Sequence, residues 1–220
     1  MKLIAQGNTA EIYEYGKNRI CKLFYSEYPE DYVSHEFDNA TMAWKLGIRT
    51  PKAYEIIVED GRKGIVYDRI IGEELYQKVH KEGEIPSGTW MDRFVGFHKQ
   101  LLQYRVSDAM DYKDFLKMFA TDKETITKIN ALADDDCLIH GDYHLGNVML
   151  DEADNLVLID MLNICKGPAL YDIARTYFLL GYNTNIQSEY LKGMGYTLKN
   201  IEPYLDVISA IRENEMNSKL

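Results

Sequence analysis

The sequence predicts an α+β fold in two parts: a small antiparallel β-sheet with one helix, followed by a mainly helical region. In residues 1–71, short runs of β-branched and aromatic residues alternate with glycine-containing turns, which is typical of antiparallel strands. From residue 72 onward, apolar residues recur three and four positions apart, as they do in amphipathic helices. One polar stretch, residues 137–150, interrupts that helical pattern and leads into a second β-hairpin.

The first region, residues 1–71, is predicted to be a β-rich domain that contains one helix. Pro29 and the acids that follow it suit a helix N-terminus, and Gly47 is predicted to end the helix. Apolar residues at helical spacing predict its buried stripe, which comprises Val33, Phe37, Ala40 and Trp44. The predicted strands span residues 3–7, 11–15, 19–25, 51–58 and 65–71, with a turn over 59–64.

The second region, residues 72–220, is predicted to be a helical domain that carries the polar stretch. Breakers and a hydroxyl cap at residues 86–89 precede a clear amphipathic helix. One helix is predicted over 114–131 and another over 169–180, with more helix from 188 to about 216. The two regions are expected to form unlike lobes around a cleft, which is a good place to exclude water from a phosphate.

Composition excludes several classes of function. The net charge of −10 argues against a nucleic-acid-binding surface, and no apolar run approaches the ~20 residues that span a bilayer. The three cysteines lie far apart in the sequence, which predicts reduced thiols in a cytoplasmic protein. We therefore expect no nucleic-acid or membrane partner, and a chain that is a monomer or a weak dimer.

Polar side chains gather at the ends of the second hairpin. His140, Asp142 and Asn147 precede it, and Asp160 directly follows its second apolar run. Carboxylate and amide oxygens are the ligands that Mg²⁺ takes in proteins, where the ion also contacts substrate phosphates. The stretch therefore predicts a site that holds a divalent cation on a phosphate.

The first region offers a lysine inside an apolar strand. Lys22 lies between Cys21 and Leu23, so its side chain must either reach solvent or meet a negative partner. Glu36 on the predicted helix is one candidate partner, although the helix pattern alone favours a solvent-exposed Glu36. Glu27 and Glu30 are nearby acids that could take its place, which leaves three candidates open.

The order and spacing of these residues resemble a known family. The pattern His140-Gly141-Asp142-x-His144-x-x-Asn147, followed thirteen positions after Asn147 by Asp160, resembles the aminoglycoside phosphotransferase and choline kinase family. That family has a protein-kinase-like, two-lobe fold. Protein kinases carry a glycine two residues after the metal-binding aspartate, whereas Leu162 stands at that position here, which favours the small-molecule branch.

The resemblance implies a role for each catalytic residue. Asp142 would accept the proton of the substrate hydroxyl or orient that hydroxyl. Asn147 and Asp160 would hold Mg²⁺ on the nucleotide phosphates. Lys22 would contact the α- and β-phosphates, and Glu36 would orient it. Phosphoryl transfer needs mainly in-line positioning and charge neutralisation, which such a set of residues can supply.

The resemblance also implies where the nucleotide lies. The turn formed by Gly7, Asn8 and Thr9 would cover the phosphates, and the backbone from Asp68 to Ile70 would meet the adenine. The expected cofactors are ATP, or GTP in its place, with Mg²⁺. His140, His144 and Asp172 are expected to support the catalytic loop rather than to transfer protons.

The expected function is an ATP-dependent transfer of the γ-phosphate to a hydroxyl of a small molecule such as a sugar, an amino-alcohol or an aminoglycoside. Alternatives are a catalytically silent nucleotide-binding or scaffold protein of the same fold, a protein kinase, and a metal-dependent hydrolase built on the two loop histidines. A cationic acceptor of the choline type would need an aromatic cage. Candidates for such a cage are Tyr143, Tyr171, Tyr177 and Tyr182.

Overall fold

The computed structural model of the protein describes residues 1–81, 89–181 and 183–217. The residues of the predicted helix cap from 86 to 88, and Tyr182, lie outside the described parts of the chain. The chain divides into two compact units. Among the described residues, the first comprises Met1–Gly72 with Met149–Leu162, and the second comprises Glu73–Val148 with residues 163–217.

The first unit contains the predicted antiparallel sheet. Its five strands are hydrogen bonded in the order β1-β2-β3-β5-β4, and every neighbouring pair runs antiparallel. The strands are β1 (Leu3–Gln6), β2 (Ala10–Glu14), β3 (Arg19–Phe24), β4 (Ala53–Glu59) and β5 (Arg62–Asp68).

The start of β5 was predicted three residues too late. Only Asp60 and Gly61 lie between β4 and β5, and both have positive φ, 50° and 76°. A two-residue turn with positive φ at both positions has the same twist as the two strands that it joins. The strands therefore pair directly beside the turn, with Arg62 opposite Glu59. The turn predicted over 59–64 was therefore too long, because Arg62 and Lys63 are half-buried residues of the strand.

The helix of the first unit, α1 (Glu30–Lys45), starts after Pro29 and ends just before Gly47, close to the predicted bounds. It packs against β4 and β5. The predicted apolar stripe was wrong in two places, because Phe37 is only half-buried and Trp44 is 45% exposed. The buried face instead comprises Val33, Glu36, Asn39, Ala40 and Ala43. Two of these are polar residues, which a count of apolar positions does not detect.

The second predicted hairpin is confirmed. Its strands are β8 and β9, and Asp151 begins the turn between them by accepting hydrogen bonds from the backbone N–H groups of Ala153 and Asn155. A short strand, β6, extends this hairpin to a three-stranded sheet in the order β6-β8-β9. The strands are β6 (Gly72–Glu74), β8 (Val148–Asp151) and β9 (Leu156–Leu158).

The second unit is mainly helical, as predicted, with one pair of strands, β7 and β10. The single helix predicted over 114–131 is in fact two helices, because the side chain of Asp122 caps a new helix by accepting from Thr125 N at 2.8 Å. Strand β10 was not predicted. The elements are α2 (Leu75–Lys81), α3 (Thr89–Leu101), α4 (Tyr112–Lys117), α5 (Lys123–Ala131), β7 (Cys137–Ile139), β10 (Cys165–Gly167), α6 (Ala169–Leu179), α7 (Thr184–Met194) and α8 (Leu198–Asn217).

Helix α6 lies at the centre of the second unit and packs against α7, α8 and β7. Its residues from Tyr171 to Thr176 are all buried. The strand β7, which leads into the polar stretch, is also fully buried. Within the described parts of the chain, none of the helices has both the length and the apolar character that a membrane span requires.

The packing of β10 against α4 predicts opposite effects for two glycine substitutions. A Cβ added to Gly167 would lie 2.6 Å from Cδ1 of Tyr112, whose ring is buried, whereas Gly96 in α3 has nothing within 4 Å of the added atom. Gly167→Ala should lower the free energy of unfolding by about 1–3 kcal/mol through overpacking. Gly96→Ala should raise it by about 0.5–1 kcal/mol, because alanine has the higher helix propensity.

Chemical denaturation of both variants measures these changes. A Gly167→Ala protein as stable as the unaltered chain would contradict the described contact between β10 and α4.

Candidate active site

In the first unit, the structure places Lys22 between two carboxylates. Its Nζ atom lies 2.8 and 2.9 Å from the two carboxylate oxygens of Glu36, and 3.0 Å from Oδ1 of Asp160. The side chain of Glu36 is only 2% exposed, and that of Lys22 is 14% exposed. The lysine therefore meets a negative partner rather than solvent, and the buried face of α1 supplies that partner.

The other two candidate partners of Lys22 are engaged elsewhere. The Glu30 carboxylate pairs with Lys63, and the Glu27 carboxylate accepts a hydrogen bond from the hydroxyl of Ser26. Of the three acids left open by the sequence, the structure thus pairs Glu36 with Lys22.

Electrostatics keep the Lys22 ammonium charged. Burial by itself would lower the pKa of Lys22, but the carboxylates of Asp160 and Glu36 outweigh it and raise the pKa above its ordinary value. Glu36 also accepts a hydrogen bond of 2.9 Å from the hydroxyl of Tyr67. Burial and the Glu36 carboxylate raise the pKa of Tyr67 well above its ordinary range, so the phenol stays protonated and donates. The sequence reasoning did not identify Tyr67, although it lies in a buried apolar strand.

Asp160 follows β9 in an unusual backbone conformation. Its φ is 64°, in the left-handed region that residues other than glycine rarely adopt. Its carboxylate is 42% exposed while it pairs with Lys22. The two residues after it are fixed as well, because Nδ2 of Asn39 donates to Met161 O at 2.9 Å and to Leu162 O at 3.2 Å. Asn39 was not identified from the sequence.

The remaining predicted nucleotide contacts lie at or just beyond the ends of strands. Gly7, Asn8 and Thr9 form the turn between β1 and β2, which Gly7 N closes by donating to Ala10 O at 2.9 Å. Asp68 ends β5, and its carboxylate accepts hydrogen bonds from the hydroxyl of Tyr54 and the backbone N–H of Lys52. Ile70 lies two residues beyond the strand.

In the second unit, the structure brings Asp142 and Asn147 together. Nδ2 of Asn147 donates to the backbone oxygen of Asp142 at 2.9 Å and to its Oδ2 at 3.0 Å. Asn147 ends a short 3₁₀ turn, Leu145–Asn147, that His144 caps by accepting from Gly146 N. Both contacts use the amide nitrogen, so neither of them engages the side-chain oxygen of Asn147.

A buried carboxylate fixes the backbone just before Asp142. Asp172, which is 0% exposed, accepts from His140 N and Gly141 N, each at 2.8 Å. Gly141 has a φ of 74°, and an added Cβ would lie 2.6 Å from Asn163 O, so a larger residue does not fit at this position. The predicted structural role of Asp172 is confirmed by these bonds.

A third donor to Asp172 comes from a residue that the sequence reasoning missed. His98 on α3 places Nε2 3.1 Å from Oδ2 of Asp172 and Nδ1 2.8 Å from the hydroxyl of Tyr190. Burial by itself would raise the pKa of Asp172, but the bond to His98 and the loop N–H of His140 hold it below its ordinary value. The only signal in the sequence was the position of His98 on the apolar face of α3.

The loop histidines behave as structural groups. His140 is fully buried, and its Nδ1 accepts from Asp142 N at 3.3 Å. His144 directs Nε2 toward Oδ2 of Asp142 at 3.5 Å. In the described residues, no three His, Cys, Asp or Glu side chains converge to hold a metal ion.

The Asp142 carboxylate is ionised over a wide pH range. Burial by itself would raise its pKa, but attraction by His144, by Arg175 and by His140 lowers it to about 2. Arg175 is buried, donates from Nε to Gly141 O at 3.2 Å and pairs with Glu215 on α8.

Two of the tyrosines that could have formed an aromatic cage are in the core. Tyr143 is buried, with its hydroxyl donating to Phe94 O at 2.8 Å, and Tyr171 is buried against the ring of Tyr112. Tyr177 is half-buried on α6. Of these three side chains, a cation could therefore reach only Tyr177 without a rearrangement of the core.

Comparison with known proteins identifies the family of the chain. A family model described as the phosphotransferase enzyme family matches residues 87–197, which is just over half of the 220 residues. That match confirms the resemblance on which the site residues were predicted. Among curated proteins, none matches the sequence significantly.

Solved structures confirm the protein-kinase-like fold. Choline kinase LicA from Streptococcus pneumoniae aligns with a TM-score of 0.65 at 13% identity, over 98% of this chain and 85% of that one. Aminoglycoside phosphotransferase APH(3'')-Id from Streptomyces rimosus, in complex with ADP and streptomycin, gives 0.62 at 13% identity, over 91% and 90%. Ethanolamine kinase from Plasmodium vivax gives 0.64 at 11% identity, over 100% and 76%. At such identities, the likeness establishes the fold alone.

The electrostatics of the loop predict the effect of removing His144. The folded-state pKa of Asp142, about 2, lies below the ordinary value of ~3.9. Its ionised form therefore stabilises the fold above that ordinary value, and the contribution is lost as the pH falls through about 2. His144→Ala should move the Asp142 titration midpoint upward, as measured by NMR of the side-chain carboxyl carbon.

His35→Ala, which removes a histidine of α1 in the other unit, is the matched control and should leave the midpoint unchanged. An equal midpoint in His144→Ala and the unaltered chain would show that the loop histidine does not act on Asp142.

Proposed function

The chain belongs to the phosphotransferase enzyme family, and from this premise we propose that it transfers the γ-phosphate of ATP to a hydroxyl group of a small molecule. The observation that carries the proposal is the position of Lys22 between the carboxylates of Glu36 and Asp160 in the first unit. A charged lysine held between two carboxylates is an arrangement that phosphates can engage. The Asp142–Asn147 pair of the second unit supports the same chemistry.

On the nucleotide side, we assign the α- and β-phosphates to Lys22. Glu36 and Tyr67 hold the ammonium in place, since Glu36 is itself fixed by the Tyr67 hydroxyl. The turn from Gly7 to Thr9 would cover the phosphates. The adenine would meet the backbone of Asp68 and Ile70, at and just beyond the end of β5.

The donor set fits Mg²⁺. Asp160 offers a partly exposed carboxylate, and Asn147 offers a side-chain oxygen because its nitrogen is already used by Asp142. These are oxygen ligands of the kind that Mg²⁺ prefers. When bound, the metal would neutralise charge on the phosphates. We therefore assign Asn147 and Asp160 as its protein ligands.

Asp142 is assigned to the acceptor hydroxyl. Its carboxylate is ionised at neutral pH, because its pKa is held at about 2, so it can orient the hydroxyl and accept its proton late in transfer. The hydrogen bond from Asn147 and the nearby His144 ring fix the direction of the carboxylate. Positioning of this kind contributes more to phosphoryl transfer than a strong base would.

The acceptor is proposed to be a sugar, an amino-alcohol or an aminoglycoside. The names of structurally similar proteins include kinases of choline and ethanolamine and a phosphotransferase solved with streptomycin. The net charge of −10 suits acceptors that carry a positive charge. The three cysteines are free and buried, which agrees with a reducing compartment such as the cytoplasm.

Two other functions are compatible with the family. A catalytically silent nucleotide-binding protein would bind ATP without turnover, although Lys22, Asp142, Asn147 and Asp160 are all present. A protein kinase would phosphorylate a protein hydroxyl. Only a few residues separate Asp160 from Gly167 in β10, which leaves no room for the activation segment of a protein kinase.

A screen for acceptor-dependent ADP release tests the proposal. The purified chain is given ATP or GTP with Mg²⁺ and a panel of sugars, amino-alcohols and aminoglycosides. We expect turnover with at least one hydroxylated acceptor. Asp142→Asn should lower kcat by about 10²–10⁴-fold and leave the dissociation constant of Mg-ATP within a few-fold.

Asp114→Asn, an exposed change on α4, is the matched control and should retain full activity. ATP binding without turnover on any acceptor would favour the silent-protein alternative. Loss of ATP binding in Asp142→Asn would contradict the proposal that Asp142 acts on the acceptor hydroxyl.

The metal assignment of Asp160 makes a separate prediction. Asp160→Ala should weaken Mg²⁺-dependent nucleotide binding by at least about tenfold, because it removes a charged ligand. Titration of fluorescent ADP with and without Mg²⁺ separates this effect from the loss of the ion pair with Lys22. Undiminished metal-dependent binding would count against Asp160 as a ligand.

A further inference from the structure

Asn39 is hydrogen bonded to the backbone next to Asp160, and the proposed nucleotide contacts give it no role. Asn39 on α1 is only 5% exposed, and its side-chain nitrogen donates to the two consecutive carbonyls of Met161 and Leu162. These carbonyls directly follow Asp160, whose φ of 64° is rare for a residue with a side chain. A rare backbone conformation persists only where surrounding contacts hold it.

The hydrogen bonds of Asn39 restrain the backbone that directly follows Asp160. The same nitrogen also lies 3.2 Å from Nε2 of His35, one turn earlier on α1, which restrains the amide. Before Asp160, Leu158 N donates to Arg49 O at 2.9 Å. The segment is therefore fixed on both sides of the carboxylate by groups that do not take part in the reaction.

The position of Asn39 on the helix connects it to Lys22. Glu36 and Asn39 are three residues apart on α1, so they project from the same face. Glu36 holds Lys22, which is paired with Asp160, while Asn39 holds the backbone after Asp160. One buried helix face thus supports both the carboxylate and the main chain of the same residue.

We propose that Asn39 is a positioning residue for the metal site: it orients the Asp160 carboxylate toward Mg²⁺ by anchoring the two carbonyls that follow it. This inference rests on the proposed function, because it assumes that Asp160 binds the metal. Groups that orient metal ligands from outside the coordination shell typically change metal affinity by about 10–100-fold when removed. Asn39 is expected to act in that range on Mg²⁺ and to leave metal-free nucleotide binding unchanged.

The test compares Asn39→Ala with the unaltered chain in titrations of fluorescent ADP over a series of Mg²⁺ concentrations. Alanine has a higher helix propensity than asparagine, so α1 itself is not weakened by the change. We expect the Mg²⁺ concentration for half-maximal binding to rise by about 10–100-fold. Binding of ADP in EDTA should stay within about twofold, because Lys22 and Glu36 are unaltered. Raising the Mg²⁺ concentration should restore binding.

Asp38→Ala, an exposed change on the neighbouring position of α1, is the matched control and should leave both affinities unchanged. Asn39→Leu, which keeps nearly the shape of the asparagine side chain but has no donor, replaces Asn39→Ala in the same titrations if the alanine variant does not fold. Thermal unfolding without ligand establishes that each variant is folded before binding is measured.

The outcomes separate the inference from the proposed function. An unchanged Mg²⁺ dependence in a folded Asn39 variant would overturn the positioning role, as would an equal loss of affinity with Mg²⁺ and in EDTA. Absence of Mg²⁺-dependent nucleotide binding in the unaltered chain would instead overturn the proposed function, and the inference with it.

Discussion

The loop that carries Asp142 depends on one buried carboxylate. Asp172 accepts hydrogen bonds from two consecutive backbone N–H groups, those of His140 and Gly141, in a stretch that no helix or sheet can satisfy. The carboxylate offers one oxygen to each donor, and an ionised group binds them more strongly than a neutral one. His98 donates to the same carboxylate from α3, so the loop is tied to the buried centre of the second unit.

The first unit uses a polar helix face in the same way. A helix that packs its buried side with Glu36 and Asn39 gives up part of the apolar contact that normally stabilises such packing. Glu36 keeps Lys22 charged although the lysine is largely buried, and Asn39 helps to hold the rare backbone conformation at Asp160. Both polar side chains have partners, which is the condition under which burial of polar groups is tolerated.

The parts of the site that the sequence predicted are those set by local spacing. His140, Asp142 and Asn147 belong to one continuous loop, and Asp160 follows a hairpin whose turn is also local, so their order alone indicates the chemistry. Contacts between distant elements escaped that reasoning. His98 and Asn39 were missed because a polar residue on an apolar face is identified only when its partner, far along the chain, is known.

The sequence by itself determined the α+β class and most strand and helix positions, because periodicity and turn chemistry are short-range properties. The order and spacing of a few polar residues carried the resemblance from which the candidate site residues were predicted. Only the tertiary structure decided which of three acids pairs with Lys22 and which face of α1 is buried. Those outcomes depend on contacts between side chains of different strands and helices. Their energies come from desolvation and pairing, which no local pattern records.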